Sequence, residues 1–162
     1  MTYQEIKTPT LYIVGIKVEM SFQTMREDTE RLAKQCMPRL HEVQNRVDDF
    51  TVSLNDYNAF DYMKLTPGGL FEKWIGVEVS QLDNVPDGMV TLTIEPATYL
   101  AIEFKGSMAE YVENWHYLHG IWLPQNQYQV DSRPHFEKLN SNYHPKNIIN
   151  EEIIWIPVVA ST

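Results

Sequence analysis

The segment YLAIEFKGSMAEYVENW, Tyr99 to Trp115, switches from one periodicity to another at a single point. Tyr99 to Lys105 is rich in aromatic and branched residues and reads as a strand. Gly106-Ser107 then opens a helix, because Ser107 followed three residues later by Glu110 is a capping-box signal. Met108, Tyr111, Trp115, Leu118 and Trp122 recur at three- and four-residue steps, the spacing of one helix face, and Leu123-Pro124 is expected to stop the helix. Downstream, a polar loop to Pro134 leads into a short strand, His135–Leu139, and a loop with Pro145 leads into a last strand, Glu152–Val159. Upstream, Asp87-Gly88 marks a turn and Met89–Ile94 an extended approach.

The same order occupies the first half. Thr10–Val18 reads as a strand, and Thr24 with Glu27 predicts a second capping box. Leu32, Cys36, Leu40, Val43 and Val47 form a helical stripe that Pro38 should kink or split. Phe50–Asn55 alternates as a half-buried strand, and Asp56–Gly69, ending in Pro67-Gly68-Gly69, reads as a loop. In the strand Phe71–Ser80, Ile75, Val77 and Val79 fall on one face and Trp74, Gly76 and Glu78 on the other. Strand–helix–strand–strand written twice implies an α+β fold of two similar β-α-β-β modules, about 1–84 and 85–162, within a single domain spanning residues 1–162. Their antiparallel sheets carry both helices on one side.

Composition narrows the function. The net charge of −9 argues against direct nucleic-acid binding, which needs a cationic field, and suits a cationic or neutral guest. The single cysteine, Cys36, sits in an apolar helical stripe, where an inert thiol is expected, and cannot make an internal disulfide. No apolar run is long enough to cross a bilayer and the amino terminus shows no signal peptide, so the expected location is cytoplasmic, without membrane association. His116 and His119 with His135 raise the question of a metal, but no cysteine or acidic motif completes a ligand set, and no cofactor is implied. There is no nucleophile elbow and no phosphate loop.

What the chain has in excess is aromatic rings: four Trp, nine Tyr and six Phe. Trp74, Tyr99 and Trp155 fall on strands, and Trp74 alternates away from the helix-packed face. Glu137 is the carboxylate that stands out, sharing a strand face with His135 and Leu139. In an aromatic cavity such a carboxylate is costly to ionise, and an organic cation offsets that cost through charge pairing and the ring faces.

Several motifs recur together in one family: Phe71 to Val79, Pro86 to Met89, Tyr99 to Ser107, Trp122-Leu123-Pro124, Pro134-His135-Phe136-Glu137, and Ile154 to Val158. Across nearly the whole chain the sequence resembles the gyrase-inhibitor-like domain, the effector-binding domain of bacterial transcription activators. The resemblance implies two modules related by a pseudo-twofold, with a cavity between them for small lipophilic, often cationic compounds; with both helices on one side of the sheets, the cavity is expected on the other. It implies a central glutamate at Glu137 and aromatic walls at Trp74 and Trp155, and Tyr99, Leu139, Ile153 and His135 are expected to line the same pocket. Where many members carry Tyr two positions after the glutamate, this chain has Leu139.

The expected function is therefore a stand-alone sensor or sequestering module, since residues 1–9 leave no room for a helix-turn-helix. Loss of the Trp155 ring is expected to weaken cationic and neutral guests alike. The alternatives are a hydrolase of cyclopropane-bearing toxins, with Glu137 as general base and Tyr99 or Tyr128 supplying a hydroxyl, or a protein-interaction module of the gyrase-inhibitor kind. No catalytic or metal-binding residue is assigned.

Overall fold

A computed structural model describes residues 1–57 and 68–159. Among these residues, eight strands form one antiparallel sheet: β1 (Tyr3–Thr8), β2 (Leu11–Met20), β3 (Thr51–Asp56), β4 (Phe71–Val79), β5 (Val90–Ile94), β6 (Ala97–Gly106), β7 (His135–Leu139) and β8 (Asn150–Val158). Helix α1 (Met25–Cys36) lies between β2 and β3, and α2 (Met108–Tyr117) between β6 and β7. The class is α+β. Most of the loop expected over Asp56–Gly69, residues 58–67, lies outside the described residues. Among the described residues, no helix is long and apolar enough to cross a membrane.

The strand order is β1-β6-β8-β7-β3-β4-β2-β5. Read outward from the central β7–β3 pair, each half runs through its β8 or β4, then its β6 or β2, and ends on an edge strand that comes from the other half of the chain. Thus β1 precedes β2 in sequence yet pairs with β6, and β5 precedes β6 yet pairs with β2. The sequence reading contains no β1. Its residues, YQEIKT, are polar and mostly exposed, as suits an edge strand that must not invite another chain.

Register assigns every strand residue to a face. On one face α1 packs Leu32 and Cys36 against Val14, Ile75 and Val77, and the α2 region packs Leu118 and Leu123 against Leu100, Ile102, Ile154 and Ile156. The other face gathers Ile13, Val52, Leu54, Trp74, Tyr99 and Phe136.

The two expected capping boxes differ. Ser107 has the extended backbone that a cap needs; its Oγ accepts from the Glu110 N–H at 3.1 Å while Glu110 Oε1 accepts from the Ser107 N–H at 3.1 Å. Thr24 has φ −107° and ψ 2°, and its hydroxyl accepts from the Ser21 N–H instead, so no box forms there. Pro38 ends α1 rather than bending it: the chain tightens into a 3₁₀ turn, Met37–Glu42, that still buries Leu40. Val43 remains in the core, but Val47 does not.

The second helix is not stopped by Leu123-Pro124. A π-helical turn over Leu118–Trp122 widens the spiral and places Leu123, five residues after Leu118, on the buried side. A last turn, Leu123–Gln125, then takes Pro124 at its start, where no N–H is needed.

Candidate functional site

The central strand pair sets the site. In the β3–β7 register Glu137 lies opposite Ser53 and His135 opposite Asn55, and these residues share the face that carries both helices. Glu137 therefore stands in mid-sheet between α1 and α2, on the helix side and not on the opposite face where a cavity was expected. Leu139 shares that face.

Four elements bring groups to its carboxylate. From α2, the Tyr111 hydroxyl donates to Glu137 Oε1. From β8 comes Glu152, a diagonal cross-strand neighbour because Glu137 is paired with Ile154 and Leu139 with Glu152. Burial together with the Glu137 charge pushes Glu152 far above the usual carboxylate range. From β4 comes Lys73, 5% exposed, whose ammonium is disfavoured by burial and supported by the charges of Glu137 and Glu152. After β3 comes Tyr57, whose hydroxyl accepts from Asn55 Nδ2 at 3.1 Å; burial, then the nearby Glu137, push it up to about 12.

The surrounding walls are rings without charge at neutral pH. His135 meets Tyr57 edge-on at 5.2 Å, His119 lies 6.1 Å from His135, and Trp115 lies 4.5 Å from His119. Burial lowers His119 to about 4 and His135 to about 3, so both are neutral. Tyr143 is raised by burial and then by the Glu152 and Glu137 charges. No group of three or more His, Cys, Asp or Glu among the described residues is arranged to hold a metal. A hollow of about 10 Å³ opens beside Tyr111, Tyr143, Phe104 and Glu152, roughly the space of one water.

The other candidates stand elsewhere. Trp155 pairs with Phe136, and Trp74 with Leu54, on the face away from the helices. Tyr99 and Ile153 share that face. Trp155 stacks on Phe136 at 5.3 Å and meets Tyr99 at 6.1 Å, while the Tyr99 hydroxyl donates to the Pro134 carbonyl. A sheet thus separates Glu137 from the three rings expected as its walls. The hydroxyl beside Glu137 is not that of Tyr99 or Tyr128 either, since Tyr128 donates to Glu5. It comes from Tyr111, which the sequence reading treats only as part of a helical stripe. Lys73 and Glu152 carry a usable signal: alternation sets Lys73 with Ile75 and Val77, and Glu152 with Ile154 and Ile156, so each is a charge on an apolar face.

Glu152 yields a pH prediction. Its folded carboxyl is raised while the unfolded one is ordinary, so folding near neutrality takes up a proton, and stability falls as pH rises above the ordinary carboxylate range. Glu152→Gln keeps the shape without that proton demand. The variant is expected to be more stable than the parent by about 1.5 kcal/mol at pH 7, with the difference vanishing near pH 4, as read by urea unfolding. An equal difference at both pH values would count against a raised Glu152.

The profile of the GyrI-like small molecule binding domain matches residues 1–159. A comparison with curated proteins finds no sequence match. Among solved structures, a putative bacterial transcription regulation protein from Staphylococcus aureus superposes with a TM-score of 0.72 at 18% identity, covering 99% of each chain. SAV2435 bound to tetraphenylphosphonium superposes with a TM-score of 0.69 at 18% identity, covering 98% of this chain and 94% of that one. A hydrolase from Listeria innocua gives a TM-score of 0.53 at 14% identity, covering 97% of this chain and 91% of that one. At these identities the likeness is one of fold.

Proposed function

From the premise that this chain belongs to the GyrI-like small-molecule-binding family, we propose that it is a sensor or sequestering module for lipophilic cations, with Glu137 as the counter-charge. One observation carries the reading: a carboxylate held in mid-sheet and bonded by Tyr111, with uncharged rings around it and Lys73 and Glu152 as its charged neighbours. The guest lies between the halves at about 1–84 and 85–162, on the helix side, with Tyr111, Tyr57 and His135 around it and Leu139 at its margin. Trp74, Tyr99, Trp155 and Ile153 support it from behind as core. The acidic balance of the chain suits this guest and disfavours direct contact with nucleic acid.

Room for a guest comes from α2. None of its residues from Met108 to Tyr117 is fully buried, so displacing it gives up little packing, whereas Leu118 and Leu123 anchor the turns that follow. Titrating the full chain with tetraphenylphosphonium, followed by calorimetry and intrinsic Trp fluorescence, is expected to saturate at one equivalent. No saturable binding of this or other lipophilic cations would overturn the reading.

A hydrolase is the second reading, and Tyr111 is the observation in its favour, because a hydroxyl on Glu137 is what a general base acting on water would use for orientation. Incubation with cyclopropane-bearing electrophiles, read by mass spectrometry, separates the two: turnover supports the hydrolase, and unchanged compound recovered from a stoichiometric complex supports the module.

A further inference from the structure

The counter-charge at this site is not one carboxylate but two. Glu137 on β7 and Glu152 on β8 are diagonal neighbours on one face, and Glu152 is 7% exposed. Two ionised carboxylates so close together out of water repel each other, so the pair holds one proton between them, and burial with the Glu137 charge raises Glu152 accordingly. Tyr111 fills another lone pair of Glu137, and Lys73 faces both carboxyls from β4 without taking over either.

The charges of the cluster then decide what can enter. In the free protein one ionised carboxylate balances the Lys73 ammonium, and the buried cluster is neutral. A cation added to that arrangement would leave an excess positive charge out of water, which is costly. If the shared proton leaves as the cation arrives, two carboxylates balance Lys73 and the guest, and the cluster is neutral again. We propose that a lipophilic monocation binds in exchange for the proton shared by Glu137 and Glu152, so that Glu152 is a second charge-determining residue of the site. The inference rests on the cation-binding reading above.

The other titratable groups facing the pair do not supply this proton near neutrality. Tyr111 from α2, Tyr57 after β3 and Tyr143 between β7 and β8 are all raised, and His119 and His135 are already neutral. Among the described residues Lys73 is the rival source, because burial lowers it. If Lys73 lost the proton instead, the release would survive removal of the Glu152 carboxyl.

The test uses the full chain and tetraphenylphosphonium. Calorimetry in buffers of different ionisation heat is expected to register release of about one proton per guest at pH 7, and the affinity to rise about tenfold per pH unit between pH 6 and 8. In Glu152→Gln the release is expected to vanish and the affinity to become flat with pH. Infrared difference spectra of wild-type protein carrying 13C-labelled glutamate should lose a protonated-carboxyl band on binding, which keeps the test independent of how the variant folds. Wild-type binding without proton release, a protonated-carboxyl band absent from the free protein, or release that persists in Glu152→Gln each overturn the exchange while leaving cation binding intact. No binding at all overturns the cation reading, and the exchange with it.

Discussion

Glu137→Gln is expected to weaken tetraphenylphosphonium about thirtyfold, close to 2 kcal/mol, while changing the affinity of a neutral tetraphenyl analogue by less than about threefold. The substitution keeps the oxygen that accepts from Tyr111, so the local geometry survives and the charge alone is removed. A cation loses a partner in a buried site, where a charge interaction is screened less than in water. The loss is bounded because Glu152 stands next door and can ionise in its place once Glu137 no longer repels it. Glu137→Gln with Glu152→Gln is therefore expected to go further than either alone. Calorimetric titration of both ligands checks this, and equal weakening of cation and neutral analogue would remove the counter-charge role.

Trp74→Ala is expected to have the opposite profile, costing about 4 kcal/mol of folding stability and leaving the affinity of the folded protein within about threefold of the parent. Trp74 is 2% exposed and packs with Leu54, Ile13 and Phe136 on the side away from the helices. Removing the indole opens a cavity in that layer without touching the groups around Glu137. Trp155→Ala should behave alike but more mildly, since Trp155 is only partly buried over Phe136. The sequence-based expectation for Trp155, weakening of every guest, gives way here because its ring lies across the sheet from the carboxylate. Urea unfolding combined with ligand titration of the folded fraction checks both. A large affinity loss in folded Trp74→Ala would mean that the two faces communicate.

Much of the site was within reach of a reader of the chain. Alternation along β7 places Glu137 with His135 and Leu139, and alternation along β4 places Trp74 opposite Ile75 and Val77, as the register confirms. The chain does not say how these halves join: the register sets the rings and Glu137 on opposite faces. The resemblance sets Trp74 and Trp155 beside Glu137, and aromatic character adds Tyr99, but neither says which face of a shared sheet a residue takes. The residue that bonds Glu137, Tyr111, was read by its helical spacing as packing, and the spacing holds for a buried hydroxyl just as it does for a phenyl ring. The π-helical turn has no local signature either: only the burial of both Leu118 and Leu123 explains why the spiral widens there.

Local chemistry in the chain thus determined most of the elements and the face of each residue within its own strand, though not the edge strand β1 or the π-helical turn. Capping by Ser107 and Glu110, period-two alternation and the stop at Pro38 are interactions among neighbours a few residues apart, and they act whatever the rest of the molecule does. Which strand lies beside which, and in what register, was decided by the tertiary structure alone. Placing β1 beside β6, Glu152 diagonal to Glu137, and Tyr111 over the central strands requires contacts between segments far apart in sequence, whose energies depend on the packing of the entire sheet. A buried charge cluster built from β4, β7, β8 and α2 is the product of that packing, and no one of its segments contains it.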